Sequence, residues 1–347
     1  MKRIWVTGIC ASVVLCLGIS PRRPFYERTD LLSDGALATQ RVDSNLVNAW
    51  GLASSPSGPF WIANEGTGTS SIALADGSLV APDVGVPSDR SGHPTGLVFN
   101  GTDGFVVEQQ GASAPALFLF VTLEGRVLGW NPEVDPANAI VAVDNGPDGA
   151  SYIGAALGTV DDEPFLFVNN FANGTVDVFD SSFDAAGSFT DEDVPEGYSP
   201  FGIAQIDGSL FVTFVPRDPQ TGDEVAGPGN GLVDIFSTEG VLLERLATGG
   251  ELNAPWGITR APGGFGSFSQ KLLVGNFGDG RILVFNQHNG RFQGQLEDED
   301  GDPIVIEGLW GLLFGNGGDG GDEHDLYFTA GIDDEEHGLF GEIELEH

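Results

Sequence analysis

A short phrase recurs six times along this chain, and it constrains the fold more than any other feature of the sequence. Each copy consists of an aromatic or small residue, then glycine, then a pair of mostly apolar residues. The repeated glycines are Gly51, Gly96, Gly154, Gly202, Gly257 and Gly311. They lie 45, 58, 48, 55 and 54 residues apart. Periods of this length are typical of propellers and other arrays of repeated units.

Each phrase is followed by a hydrophobic stretch, a polar turn and a further strand-like stretch. The clearest pair of copies is residues 168–180 and 274–286, which share Asn-Phe, a turn ending in glycine and alternating apolar residues. The Asn-Gly and Asp-Gly dipeptides at 173–174 and 279–280 favour tight hairpins, because both central residues of such turns need positive φ. Four short strands per unit and six units predict an all-β fold, a six-bladed β-propeller with four-stranded blades.

The two ends of the repeat region predict how the ring closes. The last unit runs out after its third strand at Leu345, while residues 29–33 precede the first unit and have no unit of their own. We infer that this N-terminal strand joins the last blade as its outer strand and closes the ring. Each blade buries one sheet face on the next, so we expect a single domain over residues 28–345. A pair of β-sandwiches is the competing fold, and the near-equal spacing disfavours it.

Several longer phrases carry a resemblance to known proteins, and together they span most of residues 29–343. Among them are TDLLSDG at 29–35, NLVNAWGLA at 45–53, LNAPWGI at 252–258 and GLWGLLFGNG at 308–317. The repeats resemble NHL-type propeller repeats, and the chain as a whole is similar to an uncharacterised family of exported bacterial proteins. This resemblance implies a propeller that is exported, and it implies no established activity.

The first twenty residues are typical of an export signal. Lys2 and Arg3 precede an apolar run at residues 4–19, which is short for a helix that spans a membrane. We therefore expect an export signal at residues 1–20, a linker at residues 21–27, and a secreted or cell-envelope location. Retention of the signal as a membrane anchor is the alternative. Once the signal is removed, we expect no membrane span and a monomeric protein.

Both cysteines of the chain, Cys10 and Cys16, lie inside this expected signal. A mature chain without them has no thiol nucleophile and no cysteine-ligated zinc. An exported protein without disulfides must be held together by its core or by closure of its sheets.

The chain carries a large negative charge, with 51 acidic residues, 14 basic residues and a formal net charge of -37. This charge excludes a nucleic-acid binder that works by neutralising phosphates, and it disfavours attraction to anionic lipid. The acids are spread along the chain, so we interpret them as adaptation to a salty environment, where the Debye length is only about 3 Å at 1 M salt. An ordinary acidic secreted protein that also holds calcium is the alternative.

The residues just before each repeated glycine are candidates for a binding site, because the innermost strands of a propeller begin around one mouth of the central channel. Polar and aromatic side chains at these positions could bind a small polar ligand, with the tryptophans as apolar or stacking walls. The candidates are Asn48, Trp50, His93, Tyr152, Asn253, Trp256, Glu307 and Trp310. Alternatively, the tryptophans pack between blades and the polar residues cap strand ends.

A second candidate set is the asparagines at the turns after the second strands, Asn64, Asn170 and Asn276. Propeller lactonases, which resemble this chain in architecture alone, hold a divalent ion in the channel through Glu, Asn and Asp oxygens. Calcium is the ion that such oxygen ligands suit, although no cofactor is certain from the sequence. An asparagine in a turn also commonly bonds its own backbone, which is the competing interpretation.

Three acidic runs, at residues 297–302, 319–325 and 333–337, could also hold calcium. None of them matches the twelve-residue EF-hand pattern, so solvated acidic loops are the alternative. The five histidines show no HExxH spacing, and the chain contains no Gly-x-Ser-x-Gly elbow. No ordered set of a general acid and a general base can therefore be identified from spacing.

These observations favour an exported propeller without enzymatic activity that binds a small molecule, a glycan or a protein at the channel mouth. The alternative is a divalent-metal-dependent hydrolase of the lactonase or esterase kind, so the sequence leaves open whether the chain is an enzyme. A mainly structural cell-surface protein is a third option.

The charge generates a prediction about salt. The melting temperature should rise between low and molar NaCl, because salt screens the repulsion among surface carboxylates. Thermal denaturation at graded NaCl checks this, and a flat or falling melting temperature would remove the salt-adaptation interpretation. A parallel calcium titration separates screening from specific binding, because specific binding saturates at far lower concentration.

Overall fold

The computed structural model describes residues 24–80, 82–87 and 92–346. The expected export signal at residues 1–20, with both cysteines, lies outside this range, as does the first half of the expected linker at residues 21–27. The described residues form 27 β-strands and three short 3-10 helices, Glu65–Thr67, Gly146–Asp148 and Gly266–Phe268.

In chain order the strands are β1 (Phe25–Ser33), β2 (Arg41–Val42), β3 (Ala49–Ser54), β4 (Phe60–Asn64), β5 (Thr69–Ala73), β6 (Val84–Gly85), β7 (Pro94–Phe99), β8 (Val106–Gln109), β9 (Ala112–Pro115), β10 (Phe118–Thr122), β11 (Arg126–Trp130), β12 (Ile140–Asp144), β13 (Tyr152–Val160), β14 (Glu163–Asn170), β15 (Thr175–Asp180), β16 (Ala185–Phe189), β17 (Tyr198–Ile206), β18 (Ser209–Pro216), β19 (Leu232–Ser237), β20 (Leu242–Thr248), β21 (Pro255–Arg260), β22 (Leu272–Asn276), β23 (Ile282–Phe285), β24 (Phe292–Gln295), β25 (Leu309–Phe314), β26 (Leu326–Ile332) and β27 (His337–Glu346). Gly and Pro are frequent and most runs are short, so strands and turns dominate.

These strands form the predicted six-bladed β-propeller. Blades 1 to 5 are the antiparallel sheets β3-β4-β5-β6, β7-β10-β11-β12, β13-β14-β15-β16, β17-β18-β19-β20 and β21-β22-β23-β24. Blade 6 has the order β25-β26-β27-β1, with β2 as a fifth strand. A separate hairpin, β8-β9, is inserted in blade 2 and accounts for the longest interval in the repeat. The fold class is therefore confirmed.

Closure of the ring by the N-terminal strand is also confirmed, because β1 pairs antiparallel with β27 from Phe25↔Glu346 to Ser33↔Leu339. The strand begins at Phe25, so it takes in residues 25–27 of the segment expected as a linker. The reason is tertiary: the ring of Tyr26 lies 4.8 Å from that of Phe265 in blade 5, and its hydroxyl donates to the Phe265 carbonyl. β2 pairs parallel with β1, which the sequence did not predict.

The core lies between neighbouring blades and is made chiefly by their second strands. All five residues are buried in β4, β10 and β22, which are second strands of blades 1, 2 and 5. A strand that is buried on both faces is apolar throughout rather than alternating. The second strands therefore stand out in the sequence as continuous hydrophobic stretches.

The six repeated glycines are required by the close approach of the innermost strands. A Cβ on Gly202 would lie 1.9 Å from the carbonyl oxygen of Trp256, and one on Gly257 would lie 2.5 Å from that of Trp310. The other repeated glycines likewise face backbone atoms of the next blade, ending with Gly311 against the carbonyl oxygen of Trp50. A side chain at Gly202 or Gly257 would force the blades apart, whereas at Gly154 the nearest contact, 3.2 Å from the carbonyl oxygen of Phe201, is milder.

Threonine hydroxyls join alternate pairs of blades at the same level. Thr95 in blade 2 donates to the Tyr152 carbonyl over 2.7 Å, and Thr213 in blade 4 donates to the Pro255 carbonyl over 2.6 Å. Thr329 in blade 6 donates to the carbonyl of Trp50, which crosses the junction where the ring closes. Because all three threonines are buried, each bond satisfies polar groups that water cannot reach.

The glycine contacts generate a stability prediction. Gly202→Ala should lower the free energy of unfolding by about 2–3 kcal/mol, since its Cβ would collide with backbone that cannot rotate away. Gly263→Ala is the matched control, because its Cβ would meet its nearest atom at 3.8 Å and its φ is not positive. Chemical denaturation of both variants measures the difference, and equal stability would contradict the proposed role of the repeat.

Candidate functional site

The centre of the ring is filled by a layer of aromatic side chains, which we call the aromatic layer. Trp310 stands in its middle, with ring centroids 3.8 Å from Trp50, 4.2 Å from Phe277, 5.6 Å from Trp256 and 5.8 Å from Phe201. The indole of Trp256 donates across the ring to the carbonyl of Ile153 over 3.1 Å. The innermost strands thus bring three of the predicted tryptophans together.

The aromatic layer separates two cavities of the central channel. The larger cavity, of about 610 Å³, lies at the face where the innermost strands begin, and we call it the mouth cavity. The smaller, of about 330 Å³, is lined by the later residues of the innermost strands. The mouth cavity is lined by Trp50, Leu123, Ser151, Ile153, Phe171, Ala172, Phe201, Arg217, Thr221, Gly222, Asp223, Glu224, Phe277, Asp334 and Glu335. All six blades contribute to it.

Two kinds of wall form the mouth cavity. Its floor is aromatic, since Trp50, Phe171, Phe201 and Phe277 belong to the aromatic layer or adjoin it. Its rim is charged and comes from two turns: residues 217–224 between β18 and β19, and residues 334–335 between β26 and β27. Among the described lining residues there are four carboxylates and one guanidinium. The cavity can therefore contact an apolar group below and a polar or charged group above.

The carboxyl groups of Glu224 and Glu335 have strongly raised pKa values. Burial raises the pKa of Glu224 to about 7, and the charge of Asp223 adds to the effect. Burial also raises the pKa of Glu335 to about 7, helped by the charges of Glu224 and Glu65. Both carboxyls can thus exchange protons near neutral pH, as groups at binding and catalytic sites commonly do.

Arg217 is held in place by the backbone around the rim. Its Nε donates to the Gly222 carbonyl over 3.0 Å, and its guanidinium carbon lies 5.8 Å from the centre of the Phe171 ring. It therefore fixes the turn at residues 217–224 over the cavity.

The turn that carries Glu335 has an unusual backbone. Asp333, Asp334 and Glu335 are consecutive residues with φ of 56°, 52° and 67°. Positive φ costs free energy in residues with a Cβ, and several in succession are uncommon. Such a backbone persists where the surrounding structure holds it, here the pairing of Ile332 with His337 on either side.

A hydrogen-bonded chain runs from His93 to the aromatic layer through a residue that the sequence analysis missed, Glu65. His93 Nδ1 contacts Glu65 Oε1, and Glu65 Oε2 accepts from Asn48 Nδ2 over 3.0 Å. Asn48 Oδ1 accepts from the indole of Trp310 over 3.1 Å. Three predicted site residues are thus connected, and Asn48 reaches this position with a φ of 47°.

Of the predicted mouth residues, Trp50 lines the mouth cavity, while Trp256 lines the smaller cavity. Tyr152 is fully buried between blades 2 and 3, where its hydroxyl bonds Asn145 and Asp177. Adjacent residues of a strand point to opposite faces, so Ile153 lines the cavity and Tyr152 does not. Asn253 is buried and accepts from the Gly227 amide over 2.6 Å. Glu307 is exposed on the connection that precedes β25.

The three asparagines predicted as metal ligands are engaged within their own blades. Asn64 Nδ2 donates to Ser71 Oγ over 2.7 Å, and Asn170 Nδ2 donates to Asp177 Oδ2 over 2.8 Å. Asn276 Nδ2 donates to the Glu251 carbonyl over 2.9 Å. The mouth cavity is lined by other residues, so these asparagines stabilise turns beside it. Binding of a cation to them stays a prediction.

The three acidic runs have different surroundings. Asp334 and Glu335 of the run at residues 333–337 line the mouth cavity, while residues 297–302 and 319–325 form turns in blades 5 and 6. Within residues 24–80, 82–87 and 92–346, no group of three or more His, Cys, Asp or Glu side chains has a geometry that could hold a metal ion. Calcium binding by these runs stays a prediction.

The residues that the sequence analysis missed come from the turns after the second strands. The start of each innermost strand pairs with the end of the second strand, as in Ala49↔Asn64 and Pro255↔Asn276, so both sets of residues reach one face. For two of these residues the sequence contained a signal, because Phe171 and Phe277 occupy equivalent positions in the best-matched pair of repeats. Glu224 left no such signal, since it lies in a long connection peculiar to blade 4.

Sequence comparison finds relatives of this chain among viral proteins. The uncharacterized protein R648 of Acanthamoeba polyphaga mimivirus is 30% identical over 347 residues, which cover 97% of this chain and 85% of that protein. The chain belongs to its family. The uncharacterized protein L690 of the same virus is 29% identical and covers 90% of this chain and 84% of its own length. No protein-family model matches. The similarity to exported bacterial proteins stays a prediction.

Comparison with solved structures gives the same fold. A streptogramin B lyase has a TM-score of 0.54 at 14% identity and covers 93% of this chain and 98% of its own. The apo-form of the soluble aldose sugar dehydrogenase from Escherichia coli has a TM-score of 0.56 at 14% identity, with 92% and 99% covered. At such identity the likeness extends to the fold alone, a β-propeller.

The described residues include no helix that is both long enough and apolar enough to cross a membrane.

The raised pKa values generate a prediction about pH. The folded protein binds the protons of Glu224 and Glu335 more tightly than the unfolded chain does, because their pKa is about 7 instead of 4.5. Their contribution to stability is fully present below pH 4.5 and is lost as the pH rises through about 7. The melting temperature should therefore depend less on pH across this window in Glu335→Gln than in the native protein. Glu336→Gln, an exposed neighbour in the same turn, is the control and should keep the native profile.

Proposed function

We propose that this protein is a binding module that takes a small organic molecule into the mouth cavity. The observation that carries the proposal is the cavity itself: about 610 Å³, built by all six blades, with an aromatic floor and a charged rim. Ligand sites are typically concave, mostly apolar and supplied with a few polar groups. A glycan or a protein, the other partners expected from the sequence, would need a more open surface.

A buried donor at the cavity wall supports the proposal. Trp50 lines the cavity, and its indole N–H is buried without a hydrogen-bond partner among the described residues. An unsatisfied buried donor costs about 1–3 kcal/mol. Because this N–H is itself buried, a ligand reaches it only if the indole turns toward the cavity, and an acceptor supplied there would recover part of that free energy.

A cavity-filling variant tests the proposal. Ala172 lies half-buried in the cavity lining, so Ala172→Trp should occupy the space that a ligand needs and weaken binding at least tenfold, about 1.4 kcal/mol. Ala185→Trp makes the same substitution at an exposed position on β16 and should leave binding unchanged. Quenching of tryptophan fluorescence by a panel of small aromatic and aliphatic compounds measures affinity. Saturable binding unaffected by Ala172→Trp would place the ligand elsewhere.

The second candidate function is hydrolysis of a lactone or an ester with a divalent metal ion. The observation that favours it is the pair of carboxyls, Glu224 and Glu335, whose pKa of about 7 suits proton transfer near neutral pH. This function predicts turnover of simple lactones that EDTA abolishes, that calcium restores and that Glu335→Gln lowers at least a hundredfold. Turnover that is equal in Glu335→Gln and Glu336→Gln would count against this site.

A further inference from the structure

The charges around the mouth cavity are unbalanced, and this imbalance bears on what the cavity can hold. Asp223 and Glu224 reach it from blade 4, and Asp334 and Glu335 reach it from blade 6. The carboxylate of Glu65 is close enough to influence Glu335. Facing these groups is the guanidinium of Arg217, which donates to backbone carbonyls of Gly222 and Ala172. The rim therefore presents a surplus of negative charge to the cavity.

The aromatic floor, like the rim, favours a positively charged ligand. The faces of aromatic rings carry partial negative charge and attract cations within about 6 Å. Phe171 already lies under the guanidinium of Arg217, which shows that a cation can be accommodated at this wall. Trp50 and Phe277 lie beside it in the lining. A ligand with a positive group and an apolar body would contact both kinds of wall at once.

We propose that the mouth cavity takes a small organic cation, whose ammonium group lies between Glu224 and Glu335 while its apolar part rests on Trp50, Phe171 and Phe277. This inference rests on the proposed function and names the class of ligand. A carboxylate-bearing ligand would meet net repulsion from a rim with four acidic side chains and one guanidinium, and a neutral ligand would gain hydrogen bonds from the rim but no charge attraction.

Proton release from Glu224 and Glu335 on binding provides a measurement that would not change if these residues had only a structural role. At pH 7 the free carboxyls of Glu224 and Glu335 hold part of a proton, because their pKa is about 7. A bound cation favours their ionised forms. Binding of a cation therefore releases protons at neutral pH, and binding of a neutral molecule of the same shape does not.

The experiment is isothermal titration calorimetry on the full chain with three probes of matched shape: 4-phenylbutylamine, 4-phenylbutanol and 4-phenylbutyrate. We expect the amine to bind at least tenfold more tightly than the alcohol, and the carboxylate to bind more weakly than either. In buffers of different ionisation heat, the amine should release protons and the alcohol should not. Raising the salt concentration should reduce the preference for the amine.

Matched variants test whether Glu224 and Glu335 cause the preference for the amine and the release of protons. The double variant Glu224→Gln, Glu335→Gln should bring the amine to within about twofold of the alcohol and abolish proton release, while Glu336→Gln should preserve both. If the single substitution Glu335→Gln destabilises the protein, Glu224→Gln alone still tests the preference.

The outcomes separate this inference from the proposed function. Equal binding of amine and alcohol, with both blocked by Ala172→Trp, would overturn the cation preference and support a small-molecule site. Calcium that binds saturably without displacing the amine would bind outside the mouth cavity. If calcium does displace the amine, and the amine binds no more tightly than the alcohol, the proposal of an organic cation would be overturned. Absence of saturable binding by all three probes would overturn both proposals.

Discussion

The close approach of the six innermost strands is the constraint on which the rest of the structure depends. Each repeated glycine faces backbone of the next blade, and the series closes when Gly311 meets the carbonyl of Trp50. The glycines allow the innermost strands to lie close together, and large aromatic side chains, among them Trp310, fill the centre of the ring. The short repeated phrase thus accounts for both the close approach of the innermost strands and the aromatic layer. The floor of the mouth cavity is consequently rigid.

Antiparallel pairing determines which residues can meet at the mouth. The beginning of a first strand and the end of a second strand share one edge of every blade, so two distant stretches per blade converge on the same face. The blades then differ in their turns: blade 3 contributes Phe171, blade 4 contributes Glu224 on a long connection, and blade 6 contributes Glu335 on a strained turn. The scaffold is repetitive while the cavity it surrounds is asymmetric.

The repeat made the fold predictable, because glycine recurs wherever an innermost strand lies against the backbone of the next blade. Ring closure was predictable from the incomplete last unit. The start of β1 at Phe25 was not, since it depends on contact of Tyr26 with Phe265. At the site, Trp50 and Trp310 followed from the repeat, whereas the position of Tyr152 required knowledge of which face each side chain takes. Glu65 and Glu224 acquire their roles through packing between blades, which has no local pattern.

Pairing of β1 with β27 has a consequence for how the chain is made. The two strands lie at opposite ends of the described chain, so a protein synthesised from its N-terminus carries β1, with Leu31 and Leu32, without its antiparallel partner until the final strand emerges. An open strand edge beside apolar side chains is a template for association with other chains. Premature termination between β1 and β27 would leave that edge permanently open, and the shortened product would be prone to aggregation.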